Sequence, residues 1–279
     1  QYGDIYSTLQ ILVAMTPNNV RYMANTTADR FNKDFAFQWQ REDNRKVRNW
    51  KEFSDLFLSI PMAHRMATNY MILDGTPNKQ TLKVMRPYQV YATQRVIEKI
   101  KATDFELGHN KIGYIWHTTG SGKTITSFKT AWLASRLPNV DKVVFVVDRI
   151  ALTKQTSENY KAYNPDEDID FDNKGIQDTE STTMLSRKLR NNGGGIIVTS
   201  VQKLGKLVSR SSFKSPDKKI VFIVAEAHRS TSGDQFADIQ KAFKQAAWIG
   251  YTGTPMFDAT TKGFRTQDTV SFTHLPAPE

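Results

Sequence analysis

Two glycines, a serine, a lysine and a threonine between residues 117 and 124 have the spacing of a phosphate-binding loop. The segment reads HTTGSGKT and separates an apolar run, Ile112–Trp116, from a helical pattern that begins at Thr124. Glycines let the backbone curl until successive N–H groups face an anion, and the dipole of the following helix adds to the attraction. The lysine supplies a charge to the β- and γ-phosphates, and the last hydroxyl can ligate Mg²⁺. The predicted nucleotide contacts are Thr119, Gly120, Ser121, Gly122, Lys123 and Thr124.

The loop departs from the strict pattern at its first position, where His117 replaces a glycine. The shorter form GSGKT is the variant typical of helicase-like proteins, so the departure indicates a subclass. We expect His117 to face solvent or the cleft. The alternative is a glycine-rich turn with an unrelated lysine, which the order strand, loop and helix disfavours.

Polar residues also follow the ends of other apolar runs. Val224-Ala225-Glu226-Ala227-His228 ends one run where nucleotide hydrolases place a carboxylate pair, and Glu226 occupies the position that polarises the attacking water. Thr252 and Thr254, in TGTP, end another run, and their hydroxyls can link a nucleotide site to DNA. Upstream, Gln89 in RPYQ has the paired donor and acceptor that can contact an adenine edge.

Five short apolar runs alternate with amphipathic stretches and must position these residues. Such runs, bounded by turn or helix signals, predict buried parallel strands. The alternation predicts an α/β fold, a doubly wound and mostly parallel sheet with its site at the carboxyl ends of the strands. The runs are 112–116, 143–147, 195–199, 220–224 and 247–251.

The first 80 residues have a different pattern. Strands are predicted at Thr8–Met15 and Phe31–Trp39, and helices at Trp50–Ile60 and Met62–Met71. The turn-forming sequence DGTPN at residues 74–78 predicts a domain boundary.

Composition restricts the class of protein. The 279 residues carry 38 Lys and Arg against 28 Asp and Glu, a formal net charge of +10. One basic residue against seven acidic ones gives 164–185 a charge of −6, and nine against one give 186–220 a charge of +8. The absence of cysteine excludes disulfides and thiolate metal sites. Because there is no signal peptide and no long apolar run, we expect a cytoplasmic protein without a membrane partner.

The ordered motifs RPYQ, HTTGSGKT, VVDR, VTSVQK, EAHRS and YTGTP resemble the first motor lobe of superfamily-two helicases. The sequences around these motifs resemble the R (motor and endonuclease) subunit of type I restriction enzymes. Examples are MRPYQVYATQRVIEKI, GYIWHTTGSGKTITSFK and KVVFVVDRIALTKQT. RYMANTTADR and FAFQW extend this resemblance upstream, so that it covers nearly all of residues 8–258.

The resemblance implies a RecA-like ATPase lobe that hydrolyses ATP with Mg²⁺ to move double-stranded DNA past methylase and specificity subunits before cleavage. It assigns Gln89 to adenine, Gly120 to Thr124 to phosphates and Mg²⁺, and Glu226 with His228 to hydrolysis, Glu226 also to the metal. The residues implied to contact DNA or couple it to nucleotide are Arg149, Thr199, Ser200, Gln202, Lys203, Thr252 and Thr254. In the basic stretch 186–220, Lys203 and Lys206 come just after the strand that carries Thr199 and Ser200, which predicts a place on the DNA-facing edge. The alternative for this stretch is an ordinary solvated surface.

Three departures qualify the expected activity. The family has Asp where this chain has Ala225, so we expect ATP binding with strongly reduced hydrolysis. A second motor lobe with its arginine is not expected within this chain, nor is the nuclease Glu-x-Lys motif. The resemblance divides the chain into a nuclease-domain remnant at 1–80, an ATPase lobe at 81–260 and a tail, possibly disordered, at 261–279. Alternatives are a non-hydrolysing nucleotide-binding or assembly module, or a motor lobe of another helicase.

Overall fold

The chain forms two compact units, residues 1–91 with 162–165 and residues 92–161 with 166–279. The structure, a computed structural model, describes residues 8–75, 80–108, 110–118, 120–148, 150–163, 176–178, 181–225, 234–253 and 272–275. None of the described helices is long and apolar enough to cross a membrane.

The described residues of the two units form eleven strands and eight α-helices. The strands are β1 (Ile11–Thr16), β2 (Asn19–Ala24), β3 (Met71–Asp74), β4 (Thr81–Val84), β5 (Asn110–His117), β6 (Lys142–Val147), β7 (Ile176–Asp178), β8 (Ile196–Ser200), β9 (Ile220–Ala225), β10 (Ala247–Thr252) and β11 (Phe272–Leu275). The helices are α1 (Trp50–Phe53), which continues as a π-turn over Ser54–Leu58, α2 (Met62–Thr68), α3 (Pro87–Lys101), α4 (Lys123–Ala134), α5 (Ile150–Ala162), α6 (Thr182–Arg190), α7 (Val201–Val208) and α8 (Asp234–Ala242).

Within the described residues, the second unit holds a sheet of seven strands in the order β11-β5-β10-β9-β6-β8-β7. Every pairing in this sheet is parallel. The five strands predicted from apolar runs are β5, β6, β8, β9 and β10, and all five are confirmed. Because they run in the same direction, their carboxyl ends share one edge of the sheet, as the α/β prediction requires.

Helices cover both faces of this sheet, which confirms the doubly wound architecture. On one face, Leu185 and Leu189 of α6, with apolar residues of α7 and α8, pack against strand side chains such as Phe222. On the other, Phe128 of α4 and Tyr160 of α5 form an edge-to-face pair, and Tyr160 also packs on Phe145 of β6. Successive side chains of a strand point to opposite faces, so a strand between two helical layers is apolar throughout.

The two outermost strands, β7 and β11, were not predicted. β7 has three residues, Ile-Gln-Asp, and lies within the acidic stretch. β11, Phe-Thr-His-Leu, lies within residues 261–279, for which a tail, possibly disordered, was expected, and it pairs with β5. Both strands are short and interrupted by polar residues, so they lack the continuous apolar run that identifies a central strand.

The first unit contains two antiparallel hairpins, β1–β2 and β3–β4. Tyr22 of β2 is fully buried among aromatic rings, with Trp39 and Phe57 at centroid distances of 5.9 and 4.8 Å. Its hydroxyl donates to the carbonyl of Met85 at 3.0 Å. Burial, which outweighs the opposing charge of Arg86, raises the pKa of Tyr22 well above its ordinary value.

The strand predicted at Phe31–Trp39 is wrong. The segment includes a 3-10 turn at Lys33–Phe35, and only Phe37 bridges β2, opposite Tyr22. Asn32 explains the difference, since its side-chain oxygen accepts the N–H of Asp34 at 2.9 Å and closes a local turn. Phe31 and Phe35 are consequently exposed, although their spacing suggested a buried strand face.

The turn-forming sequence that predicted a domain boundary begins at Asp74, the last residue of β3, which pairs with β4 in the first unit, and its residues 76–78 lie outside the described residues. Asp74 is buried at the end of β3, and its carboxylate accepts from Lys83 Nζ at 2.5 Å. Glycine and proline mark both hairpin connections and linkers, so the turn signal alone does not distinguish them.

Candidate phosphate-binding site

The loop between β5 and α4 has the backbone conformation that its glycines predict. Gly120 has a φ of 80°, and Gly122, the residue before the first turn of α4, has φ 81° and ψ 38°. A Cβ at Gly120 would meet nothing within 4 Å. Glycine is therefore required there by the left-handed backbone and not by crowding.

Hydrogen bonds hold Ser121 and His117 to this loop. Ser121 donates twice to the carbonyl of Thr118, from its backbone N at 3.1 Å and from Oγ at 2.7 Å. Ser121 Oγ has one hydrogen, which the carbonyl takes, so it accepts from His117 Nδ1 at 2.8 Å. The neutral histidine is therefore the tautomer with its proton on Nδ1.

His117 lies inside the protein, which corrects the expectation that it faces solvent or the cleft. It is 1% exposed and its ring stacks on Tyr251 of β10, with centroids 5.7 Å apart. Burial, with a smaller contribution from Lys123, lowers the pKa of His117 to about 3. The imidazole is therefore neutral at physiological pH, and Lys123 carries the positive charge beside the loop.

The described loop residues fit a phosphate group. Lys123 is the first residue of α4, so its side chain starts from the positive end of the dipole of a 12-residue helix. The N–H groups of the first turn of α4 lack intrahelical partners and are available to an anion. Thr124 is exposed and offers a hydroxyl to a cation that accompanies the phosphates.

Ala225 is the last residue of β9, at the carboxyl edge of the sheet, and lies in register with Tyr251 of the neighbouring strand. The position at which the family has a metal-binding Asp therefore lies at this edge, but the methyl group of Ala225 cannot ligate a cation. Within the part of the chain described, the fit to Mg²⁺ rests on Thr124. The predicted site residues Thr119, Arg149, Glu226, His228 and Thr254 lie outside the described residues.

The strand that carries TGTP lies beside the strand that carries the loop. β10 pairs with β5, with Thr252 opposite Trp116, and Trp116 Nε1 donates to the carbonyl of Gly253 at 3.1 Å. Thr252 is fully buried. The structure therefore brings Thr252 next to the end of the strand that leads into the loop.

The residues predicted to face DNA after β8 have mixed environments. Thr199 and Ser200 are both fully buried, and Ser200 Oγ accepts the N–H of Lys203 at 3.3 Å as the cap of α7. Gln202 Nε2 donates to the carbonyl of Asp148 at 2.6 Å, which joins α7 to the end of β6. Gln202 and Lys203 are both partly exposed, and Lys203 is the one that carries a charge.

The basic stretch 186–220 does not form one strip along the carboxyl edge. Lys203 and Lys206 lie in α7, which follows the carboxyl end of β8. The other basic residues precede β8, or follow α7 and precede β9, and so lie toward the opposite edge: Arg187, Lys188, Arg190, Arg210, Lys214, Lys218 and Lys219.

Gln89 lies in the first turn of α3, in the first unit. It is 5% exposed, and its Oε1 accepts the backbone N–H of Arg86 at 2.9 Å. This is the reciprocal half of a capping box, in which the third helical residue reaches back to the N-cap. Gln89 thus has a structural role that the sequence analysis did not include.

Sequence reasoning missed two buried residues that support the loop, His117 and Tyr251. Tyr251 is fully buried, and its hydroxyl lies 2.7 Å from Thr130 Oγ1 of α4. Their signal in the sequence is their position, since His117 is the last residue of β5 and Tyr251 the next-to-last residue of β10, two central strands of the sheet.

Comparison with known proteins agrees with these features. The sequence model of the SWI2/SNF2 ATPase family matches residues 88–272. An endonuclease subunit of a type I restriction enzyme from Staphylococcus saprophyticus is 33% identical over 92% of this chain and 26% of its own length. A putative type I restriction enzyme endonuclease subunit, C-terminal part, from Mycoplasma pneumoniae is 37% identical over 74% of this chain and 100% of its own length.

Among solved structures, the SWI2/SNF2 ATPase core of Sulfolobus solfataricus in complex with double-stranded DNA has a TM-score of 0.48 and 17% identity, over 70% of this chain and 35% of its own. The chain spans about a quarter of the length of the staphylococcal relative. The fold, the loop after β5 and the matching sequences lead to one assignment. The chain belongs to the SWI2/SNF2 ATPase family, whose name implies ATP use, and to the endonuclease (R) subunits of type I restriction enzymes.

Proposed function

We propose that this chain is the ATP-binding motor lobe of a type I restriction enzyme R subunit. The whole subunit would couple ATP hydrolysis to translocation of double-stranded DNA and to endonucleolytic cleavage, in a complex with methylase and specificity subunits. The observation that carries the proposal is the loop at residues 118–124, where two glycines with positive φ precede Lys123 at the start of a helix that follows a parallel strand.

The residues have distinct roles in this proposal. The first-turn N–H groups of α4 and the ammonium group of Lys123 bind the phosphates, and the Thr124 hydroxyl contributes to a Mg²⁺ site with Glu226. Bound Mg²⁺ would supply charge neutralisation to the transferring phosphate. Glu226 and His228 would orient and deprotonate the attacking water, and Gln89 would contact the adenine.

Contacts to DNA form a second part of the proposal. Lys206 is exposed and Lys203 partly exposed on α7, which follows the carboxyl end of β8, and both ammonium groups can bind phosphates of the backbone. Arg149, Thr252 and Thr254 would couple DNA to the nucleotide. Thr199, Ser200 and Gln202 would support these contacts from buried or bonded positions. Binding should weaken as salt rises, with a log–log slope of roughly −0.9 per phosphate contact.

Ala225 favours a second candidate function, a module that binds nucleotide without turnover. At the end of β9 its side chain cannot ligate a cation, so a carboxylate that the family expects is missing from the metal site. We infer that this chain binds ATP and hydrolyses it poorly. We also propose that residues 1–80 derive from the nuclease domain.

Nucleotide titration of Lys123→Ala tests the proposal. Calorimetry with ATP and Mg²⁺ should show affinity lowered by roughly 10- to 100-fold, since a hydrogen bond to a charged group contributes about 1.5–3 kcal/mol. Lys154→Ala is the matched control, because Lys154 is exposed on α5 and its nearest carboxylate, that of Glu158, is 4.0 Å away. Equal affinity in the Lys123 and Lys154 variants would show that the loop does not bind the phosphates.

A further inference from the structure

His117 has contacts that a residue at the edge of a loop does not need. It is 1% exposed, it is the last residue of β5, and its ring stacks on Tyr251 with an interplanar angle of 23°. A buried imidazole is costly to desolvate, so its one polar contact in the described part of the chain identifies what it does. That contact is Ser121 Oγ, at 2.8 Å from Nδ1.

The hydrogen-bond chain has one direction. His117 Nδ1–H donates to Ser121 Oγ, and Ser121 Oγ–H donates to the carbonyl of Thr118 at 2.7 Å. The chain thus joins the end of β5 to the residue between the two left-handed glycines, Gly120 and Gly122. Glycine with positive φ is conformationally free, so it does not by itself hold the loop in one shape.

The other side of the ring is fixed by the neighbouring strand. Tyr251 is fully buried, and its hydroxyl bonds to Thr130 of α4 at 2.7 Å. His117 therefore lies between the glycine loop and a side chain anchored to the helix that the loop precedes. Both neighbours limit the positions that Nδ1 can take.

We propose that His117 is a positioning residue, which holds the glycine loop in its phosphate-binding shape through Ser121. It does not touch the nucleotide in this role, and the inference rests on the proposed function of the loop as the nucleotide site. Preorganisation of this kind raises affinity because the free loop has less conformational freedom to lose on binding.

Asparagine and glutamine separate this role from general packing. The Nδ2 of Asn occupies the place of Nδ1 of His, two bonds from Cβ, whereas the amide nitrogen of Gln lies one bond further out. We expect His117→Asn to keep a nucleotide affinity within about threefold of the unsubstituted chain. His117→Gln and His117→Ala should each weaken it by about tenfold, the loss of one net hydrogen bond of roughly 1–1.5 kcal/mol.

Ser121→Ala provides the second arm, since it removes one oxygen from a loop residue and leaves the imidazole in place. It should weaken nucleotide binding by the same factor as His117→Ala, and the double variant should be no weaker than either single one. Affinities are measured by calorimetry with ADP, on variants whose folded state is checked by urea unfolding.

Two results would overturn the proposal. The first is equal nucleotide affinity in His117→Ala, His117→Gln and the unsubstituted chain, while Lys123→Ala still binds more weakly. This result would keep the loop as the nucleotide site but show that His117 does not position it. The second is full additivity of His117→Ala and Ser121→Ala. If Lys123→Ala also binds normally, the nucleotide site itself is misplaced and this inference fails with it.

Discussion

The hydroxyl groups of Thr130 and Tyr251 lie 2.7 Å apart in the interior of the second unit, joining the helix after the glycine loop to the strand that ends at Thr252. Thr130 Oγ1 already donates its hydrogen to the carbonyl of Thr126 at 2.9 Å. The phenol of Tyr251 is therefore the donor in the pair. Burial raises the pKa of this phenol well above its ordinary value, so the phenol keeps its proton at neutral and moderately alkaline pH.

The direction of that bond predicts unequal effects for its two partners. Tyr251→Phe removes the donor and leaves Thr130 bonded to Thr126, so it should lower the free energy of unfolding by about 1 kcal/mol. Thr130→Val leaves a buried phenol without an acceptor and should cost more, about 1–3 kcal/mol. Urea unfolding measures both, and a larger loss in Tyr251→Phe than in Thr130→Val would contradict the assigned direction.

A substitution at Gly120 should act through the backbone conformation of the loop and not through a steric clash. Gly120→Ala places a Cβ where nothing lies within 4 Å, but at a φ of 80° it should cost about 1–2 kcal/mol or force the loop to change shape. Nucleotide affinity should fall as the loop departs from this conformation. Gly194→Ala is the matched control, because its Cβ also meets nothing within 4 Å and its φ lies outside the left-handed region. Similar losses in the two variants would contradict this explanation.

The neutral state of His117 predicts a pH dependence of stability. Its pKa is about 3 in the folded protein and about 6.5 when unfolded, so between these values the unfolded chain binds a proton that the folded chain does not. The stability due to the neutral imidazole is complete above pH 6.5 and is lost as the pH falls toward 3, by up to about 1.4 kcal/mol per unit.

Urea unfolding at pH 7, 6 and 5 measures this loss. His117→Asn should decline less steeply than the unsubstituted chain, while His64→Asn, at an exposed position of α2, should follow the unsubstituted chain. Parallel declines for all three proteins would show that His117 titrates normally. The carboxylates that titrate in the same range are common to all three, so the difference between variants isolates the histidine.

Ala225 predicts a gain of activity. Ala225→Asp, placed in a polypeptide as long as the staphylococcal relative, should raise DNA-stimulated ATP hydrolysis by about a hundredfold or more, since a correctly held metal contributes several kcal/mol to such reactions. Ala225→Asn is the control, with the same shape and without the charge. Turnover that stays at background in the Asp variant would contradict the assignment of the metal site to the end of β9.

Much of the second unit followed from residue order. The apolar runs of β5, β6, β8, β9 and β10 predicted buried parallel strands, because only a strand covered on both faces by helices is apolar throughout. HTTGSGKT predicted the loop, since Gly120 and Gly122 can adopt the positive φ angles that bring the chain to Lys123 at the start of the helix. The edge strands β7 (Ile-Gln-Asp) and β11 (Phe-Thr-His-Leu) contain no continuous apolar run, so they gave no such signal.

Tertiary structure alone decided the surroundings of the site. Nothing in the spacing of His117 and Ser121 shows that a buried ring stacks on Tyr251, because that contact depends on β10 lying beside β5. Nor did the sequence reveal that the buried Ser200 caps α7, or that Phe31 and Phe35 are exposed. Local pattern determines which segments become strands and helices. Burial and hydrogen-bond partners depend on residues far apart in the chain, which only the packed sheet brings together.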